Sequence, residues 1–215
     1  SLEIVDNPQL TSLAGLDSLV AQAPFGNFGS LLKIADNPLL QDVSSLRRLH
    51  RVGTLYIQDN PSLDTLRLDR LHTASTIRIE RNVSLRLVEL PQWTGGGLWM
   101  SRNDSLETAS FPAYGSVGFS SYGIDITNHP RLKTLTGFRR LDSVIFLNIS
   151  GHPELSTLPR FESLRRTEEQ LSISDNARIT SLDAFPALEA VGSIPFHVGE
   201  RPRLPVFNGA HLQIA

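Results

Sequence analysis

Short segments in which apolar and polar residues alternate recur along the whole chain. The first is Leu2-Glu3-Ile4, and such a pair returns every 21 to 30 residues as far as Ile173. Apolar residues at positions i and i+2 face the same side of a β-strand, so each pair predicts one short strand with an inward face. The recurrence predicts that copies of this unit stack on one another. The pairs are Leu2/Ile4, Leu32/Ile34, Leu55/Ile57, Ile77/Ile79, Leu98/Met100, Ile124/Ile126, Leu147/Ile149, Leu171/Ile173, Phe196/Val198 and Leu212/Ile214.

Two further apolar blocks follow most of these pairs before the next pair begins. In the second unit they are Leu40/Val43 and Leu46/Leu49. Three apolar blocks per turn indicate three walls around one core. The pattern therefore predicts an all-β or mostly β fold, a right-handed parallel β-solenoid of about nine rungs that forms a single domain over residues 1–215. The third block has a spacing of three, which fits a short strand or a helical turn; we favour extended or irregular backbone because Pro, Gly and Ser are frequent there.

A polar residue recurs three positions after each apolar pair, and proline usually follows it. A buried asparagine at a solenoid corner can hydrogen-bond to the backbone of its own turn and of the next. Proline fixes the bend that follows. We predict an inward-facing structural ladder at this position, with histidine replacing asparagine in two turns. Its members are Asn7, Asn37, Asn60, Asn82, Asn103, His129, His152 and Asn176.

The residue between the two inward residues of each pair points away from the core. In three consecutive turns this residue is Tyr56, Arg78 and Trp99. Stacking of the turns predicts that the three lie side by side on the outer sheet face, with the arginine within reach of both rings. Aromatic residues and arginine are typical of binding hot spots. We predict a binding patch here; ordinary cross-strand pairing on a solvated sheet is the alternative.

Two turns are longer than the others and carry glycine- and aromatic-rich insertions at residues 21–29 and 112–123. Insertions in solenoids emerge as loops, often on a binding face. We predict that their aromatic side chains contribute to binding; the alternative is that they fold back over an exposed end or corner. The residues concerned are Phe25, Phe28, Tyr114, Phe119 and Tyr122.

Composition limits the possible chemistry. The chain has 215 residues, a net charge of −2 and no cysteine, so nothing favours nucleic acid as a partner, and disulfides and thiolate metal sites are excluded. His50 and His72 align on adjacent turns, as do His129 and His152, but neither pair has a third ligand in a fitting position. We predict no metal and no cofactor.

Three Asn-x-Ser/Thr sequons are present, at Asn82, Asn103 and Asn148. The first two belong to the predicted inward ladder, where a glycan would conflict with the fold. Asn148 points outward from its strand, so it is the one sequon expected to carry a glycan in a host that glycosylates.

The repeated phrase resembles the receptor L-domain family, the leucine-rich β-solenoid modules of the insulin and epidermal growth factor receptors, including cysteine-free microbial and fungal surface members. The resemblance is carried by Ile-x-x-Asn-Pro-x-Leu followed by Ser-Leu-x-x-Leu or Thr-Leu-x-x-Phe, best in residues 2–19, 32–57 and 124–188. Ordinary leucine-rich repeats are the close second possibility. The chain lacks the cysteine-rich flanks of the receptor members, which argues against a growth-factor-receptor role.

The resemblance implies a non-enzymatic extracellular or cell-surface module. We expect it to recognise a protein or a glycan through the outer sheet face and the two inserted loops; a structural surface or matrix scaffold is the alternative. A polysaccharide-active β-helix enzyme is a third possibility, for which Glu80 and Asp125 are the carboxylates to consider.

Both ends of the sequence lie in or near predicted strands, and Ser1 already stands inside a repeat. Open strand edges invite pairing, so we expect flanking domains or another subunit at the solenoid ends. We also expect the sequence to be part of a longer chain, with any membrane contact made by parts outside it.

Overall fold

The computed structural model describes residues 1–20, 30–115 and 123–192. Over these ranges the chain is a mostly β solenoid of about seven turns, which confirms the predicted fold class. The turn count is lower than the predicted nine or so rungs. The last two predicted pairs, Phe196/Val198 and Leu212/Ile214, lie outside the described residues.

One wall of the described solenoid is a parallel sheet of nine strands, and each strand is hydrogen-bonded to the strand of the next turn. The inward Leu-x-Ile pairs align in register, for example Leu55 with Ile77 and Ile57 with Ile79. The strands, in sheet order, are β1 (Leu2–Val5), β2 (Leu31–Ala35), β3 (Arg51–Gln58), β5 (Thr73–Glu80), β7 (Gly97–Ser101), β9 (Ile124–Thr127), β11 (Ser143–Ser150), β12 (Arg166–Ser174) and β13 (Ala190–Val191).

The second apolar block forms a sheet only in the middle of the described solenoid, where four short parallel strands stack. Its strands are β4 (Thr65–Arg67), β6 (Leu87–Glu89), β8 (Thr108–Phe111) and β10 (Thr134–Gly137). In the first and last described turns, the corresponding residues form turns or isolated bridges instead.

The third wall is mostly turns, in line with the irregular backbone predicted for it, and includes a 3-10 helix at Ser44–Arg48. Aromatic rings of successive turns stack along this wall. The ring centroids of Phe138 and Phe161 are 5.6 Å apart, and those of Phe161 and Phe185 are 4.9 Å apart. No helix in the described ranges is long and apolar enough to cross a membrane.

Apolar side chains from all three walls meet in one continuous core. The inward pairs of the middle turns are fully buried, as are second-wall residues such as Leu66 and Val88. Burial of each such side chain stabilises the fold by about 1.5–3 kcal/mol relative to its exposed form. The core is long and narrow, because each turn packs mainly on its two neighbours.

The corners after the first eight strands of the large sheet share one backbone conformation. The residue before the ladder position is left-handed, with φ between 53° and 58° in non-glycine residues and 76° at Gly151. Asp and Asn tolerate this conformation better than most residues, and they supply five of the seven non-glycine examples. The set is Asp6, Asp36, Asp59, Arg81, Arg102, Asn128 and Asp175.

The left-handed residue turns the next side chain inward, where it joins the ladder of asparagines and histidines. Asn82 shows the complete bonding pattern. Its Oδ1 accepts from the backbone N–H of Asn60 at 3.1 Å, and its Nδ2 donates to the carbonyls of Ile57 and Glu80 at 2.9 and 3.1 Å. Its own N–H donates to Oδ1 of Asn103 at 3.0 Å. Each ladder residue thus satisfies backbone groups that the corner removes from the sheets.

The two histidines continue the ladder with their ring nitrogens. Nδ1 of His129 accepts from the N–H of Asn103 at 3.2 Å, and Nδ1 of His152 accepts from the N–H of His129 at 3.3 Å. Nε2 of His152 lies 2.9 Å from the carbonyl oxygen of Ile126, so it carries the proton and donates. The two buried rings are stacked at 5.3 Å. This arrangement requires neutral imidazoles with the proton on Nε2.

Candidate functional site

The outer face of the large sheet brings the predicted patch together. Tyr56 pairs in register with Arg78, and Arg78 pairs with Trp99. The guanidinium carbon of Arg78 lies 5.9 Å from the Tyr56 ring centroid and 4.9 Å from that of Trp99. Both distances are within the range of cation–π attraction. All three side chains are half-buried, so each also presents surface to solvent.

Arg78 is held from a second direction by an acidic side chain. Glu80 lies 3.6 Å from Nη1 of Arg78 and is itself fixed by Gln58, whose Nε2 donates to Oε2 at 3.0 Å, and by Arg81 at 3.4 Å. These contacts restrict the rotation of Arg78 between its two rings. Its Nε is enclosed and has no hydrogen-bond partner among the described residues.

Next to this patch, two aromatic rings lie over glycines. The Trp99 ring covers Gly97, where a Cβ atom would lie 2.1 Å from the ring, and the Phe146 ring covers Gly123 at the same distance. The two glycines are on adjacent turns, since the N–H of Leu98 donates to the carbonyl of Gly123 at 3.1 Å. We call Trp99 and Phe146, with the glycines beneath them, the aromatic shelf.

A polar pair borders the shelf. Asp125 stands beside Trp99 on the next strand, and Asn148 stands beside Asp125 on the strand after that. Nδ2 of Asn148 donates to Oδ1 of Asp125 at 2.8 Å. Partial burial raises the pKa of Asp125, against the opposing effect of this hydrogen bond. Oδ1 of Asn148 is enclosed and has no partner among the described residues.

Small hydroxyl side chains line the far side of the polar pair. They occupy the next outward position along the strands, two residues after Trp99 and its equivalents, and they pair in register from turn to turn. Each of these residues is half-buried on the outer face. The row consists of Ser101, Thr127, Ser150 and Ser174.

Sequence reasoning did not identify Phe146, and it considered Asp125 only as a possible enzyme carboxylate and Asn148 only as a sequon, not as a hydrogen-bonded pair. Phe146 stands at the outward position before an inward pair, and the aligned position of the preceding turn is Gly123. An aromatic residue aligned with a glycine one turn earlier is the signal that could have found it.

Tyr114 is a correction to the predicted binding residues. It is 2% exposed and packs edge-on against Trp93 and Phe138, with ring centroids 4.9 and 5.1 Å away. Its hydroxyl donates to the carbonyl of Gly96, and burial raises its pKa. The side chain fills a core corner and cannot contact a ligand directly. The other predicted loop aromatics, Phe25, Phe28, Phe119 and Tyr122, lie outside the described residues.

The sequons differ in accessibility. Asn82 and Asn103 are fully buried ladder members, whereas Asn148 is half-buried on the outer face with its amide nitrogen bonded to Asp125. Asn82 and Asn103 are thus too buried to carry a glycan, and glycosylation of Asn148 stays a prediction.

The arginines of the third wall belong to a surface of mixed charge. Arg47, Arg48, Asp69 and Arg70 line a shallow cavity of about 300 Å³. Arg47 pairs with Asp17 at 3.2 Å. Such exposed ion pairs contribute little to stability or specificity. Within the described ranges, no group of three or more His, Asp or Glu side chains is placed to hold a metal ion.

Comparison of the chain with models of protein families, with curated proteins and with solved structures gave no match.

Proposed function

We propose that this chain is a non-catalytic recognition module that binds a protein or glycan ligand through the outer face of its large sheet. The observation that carries the proposal is the Tyr56–Arg78–Trp99 stack, which continues into the aromatic shelf. Rigid aromatic side chains supply contact area at low entropic cost, and a stacked arginine adds directional polar contacts. A structural surface or matrix scaffold is the alternative, and it requires no such patch.

The carboxylates on this face support binding rather than catalysis. Both oxygens of Glu80 are engaged, Oε1 by Arg78 and Oε2 by Gln58 and Arg81. Asp125 is two turns away and holds Asn148. A glycosidase requires one carboxylic acid that donates a proton and one carboxylate that attacks or activates water. With both oxygens engaged in this way, Glu80 offers no free carboxyl oxygen to a glycosidic bond.

The resemblance to receptor L-domains supports the remaining parts of the proposal. It favours a location outside the cell or on its surface, with flanking domains or another subunit at the solenoid ends. A contribution to binding from the two inserted segments, residues 21–29 and 112–123 apart from the buried Tyr114, remains part of this proposal.

The test is a binding screen with the double variant Tyr56→Ala/Trp99→Ala. The full chain is applied to arrays of glycans and of extracellular proteins. We expect at least one ligand for the wild type. The double variant should bind that ligand with at least tenfold lower affinity, because it lacks both aromatic rings that hold Arg78.

The matched control is Arg139→Ala/Arg165→Ala, which removes two exposed arginines of the third wall. Its binding should equal that of the wild type. Absence of any ligand, or equal binding by the Tyr56/Trp99 variant, would contradict the proposal, provided that circular dichroism shows all three proteins folded.

A further inference from the structure

Resting on the function proposed above, we propose that the surface from Trp99 to Asn148 is a subsite for a neutral carbohydrate. The subsite combines the aromatic shelf with the Asp125–Asn148 polar pair and the hydroxyl row beside it. Its centre is displaced from Tyr56 toward β9 and β11, so it is a distinct part of the outer face.

The shelf provides the apolar half of the subsite. Because Gly97 and Gly123 have no side chains, the rings of Trp99 and Phe146 lie low against the sheet instead of standing away from it. The electron-rich face of an aromatic ring attracts the weakly positive C–H groups of a pyranose ring. Both rings are half-buried, so part of each remains open to such a contact.

The polar pair provides directed hydrogen-bond acceptors next to that surface. Asp125 keeps one oxygen beyond the one that Asn148 occupies, and Oδ1 of Asn148 has no partner among the described residues. Because Oδ1 of Asn148 is enclosed, the acceptor for a ligand hydroxyl is the remaining oxygen of Asp125. The amide is already oriented by Asp125, so binding does not have to order it.

The hydroxyl row extends these polar contacts along the solenoid. Thr127 and Ser150 flank the polar pair and repeat with the spacing of the strands, about 4.8 Å. A hydroxyl group can donate and accept hydrogen bonds, so it can pair with a sugar hydroxyl that acts as a donor or as an acceptor. Several sugar units of one chain could therefore contact successive turns.

The charges around the shelf favour a neutral ligand. Arg78 is offset by Glu80, so the patch has no free cation to attract an acidic sugar. Asp125 has no cation within ion-pair distance among the described residues. An anionic glycan would be repelled by this carboxylate, whose electrostatic partner Arg78 is already paired with Glu80, whereas a hydroxyl can donate to it.

The experiment titrates the full chain, produced in a bacterial host that leaves Asn148 unmodified, with cellohexaose, laminarihexaose, mannohexaose and chitohexaose. Binding is followed by calorimetry and by tryptophan fluorescence. We expect saturable binding of at least one of these neutral sugars, with a Kd on the order of 0.1–1 mM because a shallow surface orders and buries little of the ligand.

The variants separate the two halves of the subsite. Trp99→Ala should weaken binding at least tenfold, and Asn148→Ala about fivefold. Gly123→Ala keeps both rings but introduces a methyl group where Phe146 lies, so it should also weaken binding. Arg139→Ala/Arg165→Ala, on the third wall, is again the control and should bind like the wild type.

Each outcome decides the proposal. Equal sugar binding by wild type, Trp99→Ala and Gly123→Ala would overturn it, as would binding of acidic glycans alone. If no neutral sugar binds but a protein is captured through Tyr56 and Trp99, the carbohydrate subsite is wrong and the recognition function stands.

Discussion

Replacing Asn82 with alanine should lower the free energy of unfolding by roughly 3–5 kcal/mol, since each buried polar group left without a partner costs about 1–3 kcal/mol. The substitution removes the acceptor of the Asn60 N–H and the donor to the Ile57 and Glu80 carbonyls. Neither water nor another side chain can replace these bonds in the fully buried corner. Urea denaturation followed by circular dichroism measures the change.

Asn7→Ala is the matched control for this prediction. Asn7 occupies the same position of the repeat but is exposed, and its Nδ2 donates to Val5 and to Asn37 near the surface. We expect a loss within about 1 kcal/mol, because water can replace these contacts. Equal losses for Asn7→Ala and Asn82→Ala would contradict the stabilising role of the buried ladder.

Acidification below pH 6.5 should destabilise the protein through the stacked histidines. Protonation of His129 would place a proton on Nδ1, which faces the N–H of Asn103. Burial, followed by the neighbouring His152, lowers the pKa of His129 to about 3, and burial also lowers the pKa of His152. As pH falls, the unfolded chain takes up these protons before the folded chain does.

Because the unfolded chain is protonated first, the free energy of unfolding falls as the pH falls. The stability contributed by the neutral rings is fully present above the unfolded pKa of about 6.5 and is lost as pH falls toward 3. His129 alone should remove about 2 kcal/mol of stability by pH 5. The measurement is the urea midpoint at pH 7.5 and pH 5 for the wild type and for His129→Asn/His152→Asn.

The double variant restores asparagine, the residue found elsewhere in the ladder, and should lose much less stability between these pH values. The exposed His50 and His72 are present in both proteins, so they cancel in the comparison. If the wild type and the double variant lose the same stability, the histidine corner is not the acid-sensitive element.

The sequence predicts the large sheet well because its signal repeats. One apolar pair is weak information, but aligned pairs fix the register, and the register places Tyr56, Arg78 and Trp99 side by side. The same alignment assigns the ladder asparagines to the inside, where the left-handed residue before each one turns it. These features are local and recur, so the linear pattern contains them.

Features that depend on side-chain volume at one turn were not predictable in the same way. Residues 112–123 have the composition of a loop, yet Tyr114 is buried, with its ring against Trp93 and Phe138 and its hydroxyl donating to the carbonyl of Gly96. Phe146 joins the shelf only because Gly123 lacks a side chain. Such fits involve residues of different turns and have no periodic signature.

Acrylamide quenching of tryptophan fluorescence tests most directly whether the ligand occupies the outer sheet face. The chain has two tryptophans, of which Trp93 is fully buried and Trp99 is half-buried on that face. Without ligand, acrylamide should quench mainly Trp99, and Trp99→Phe, which retains only Trp93, should show little quenching. A saturating amount of the tightest ligand from the arrays should protect Trp99 in the wild type. Unchanged quenching of Trp99 at saturation would show that the ligand binds elsewhere.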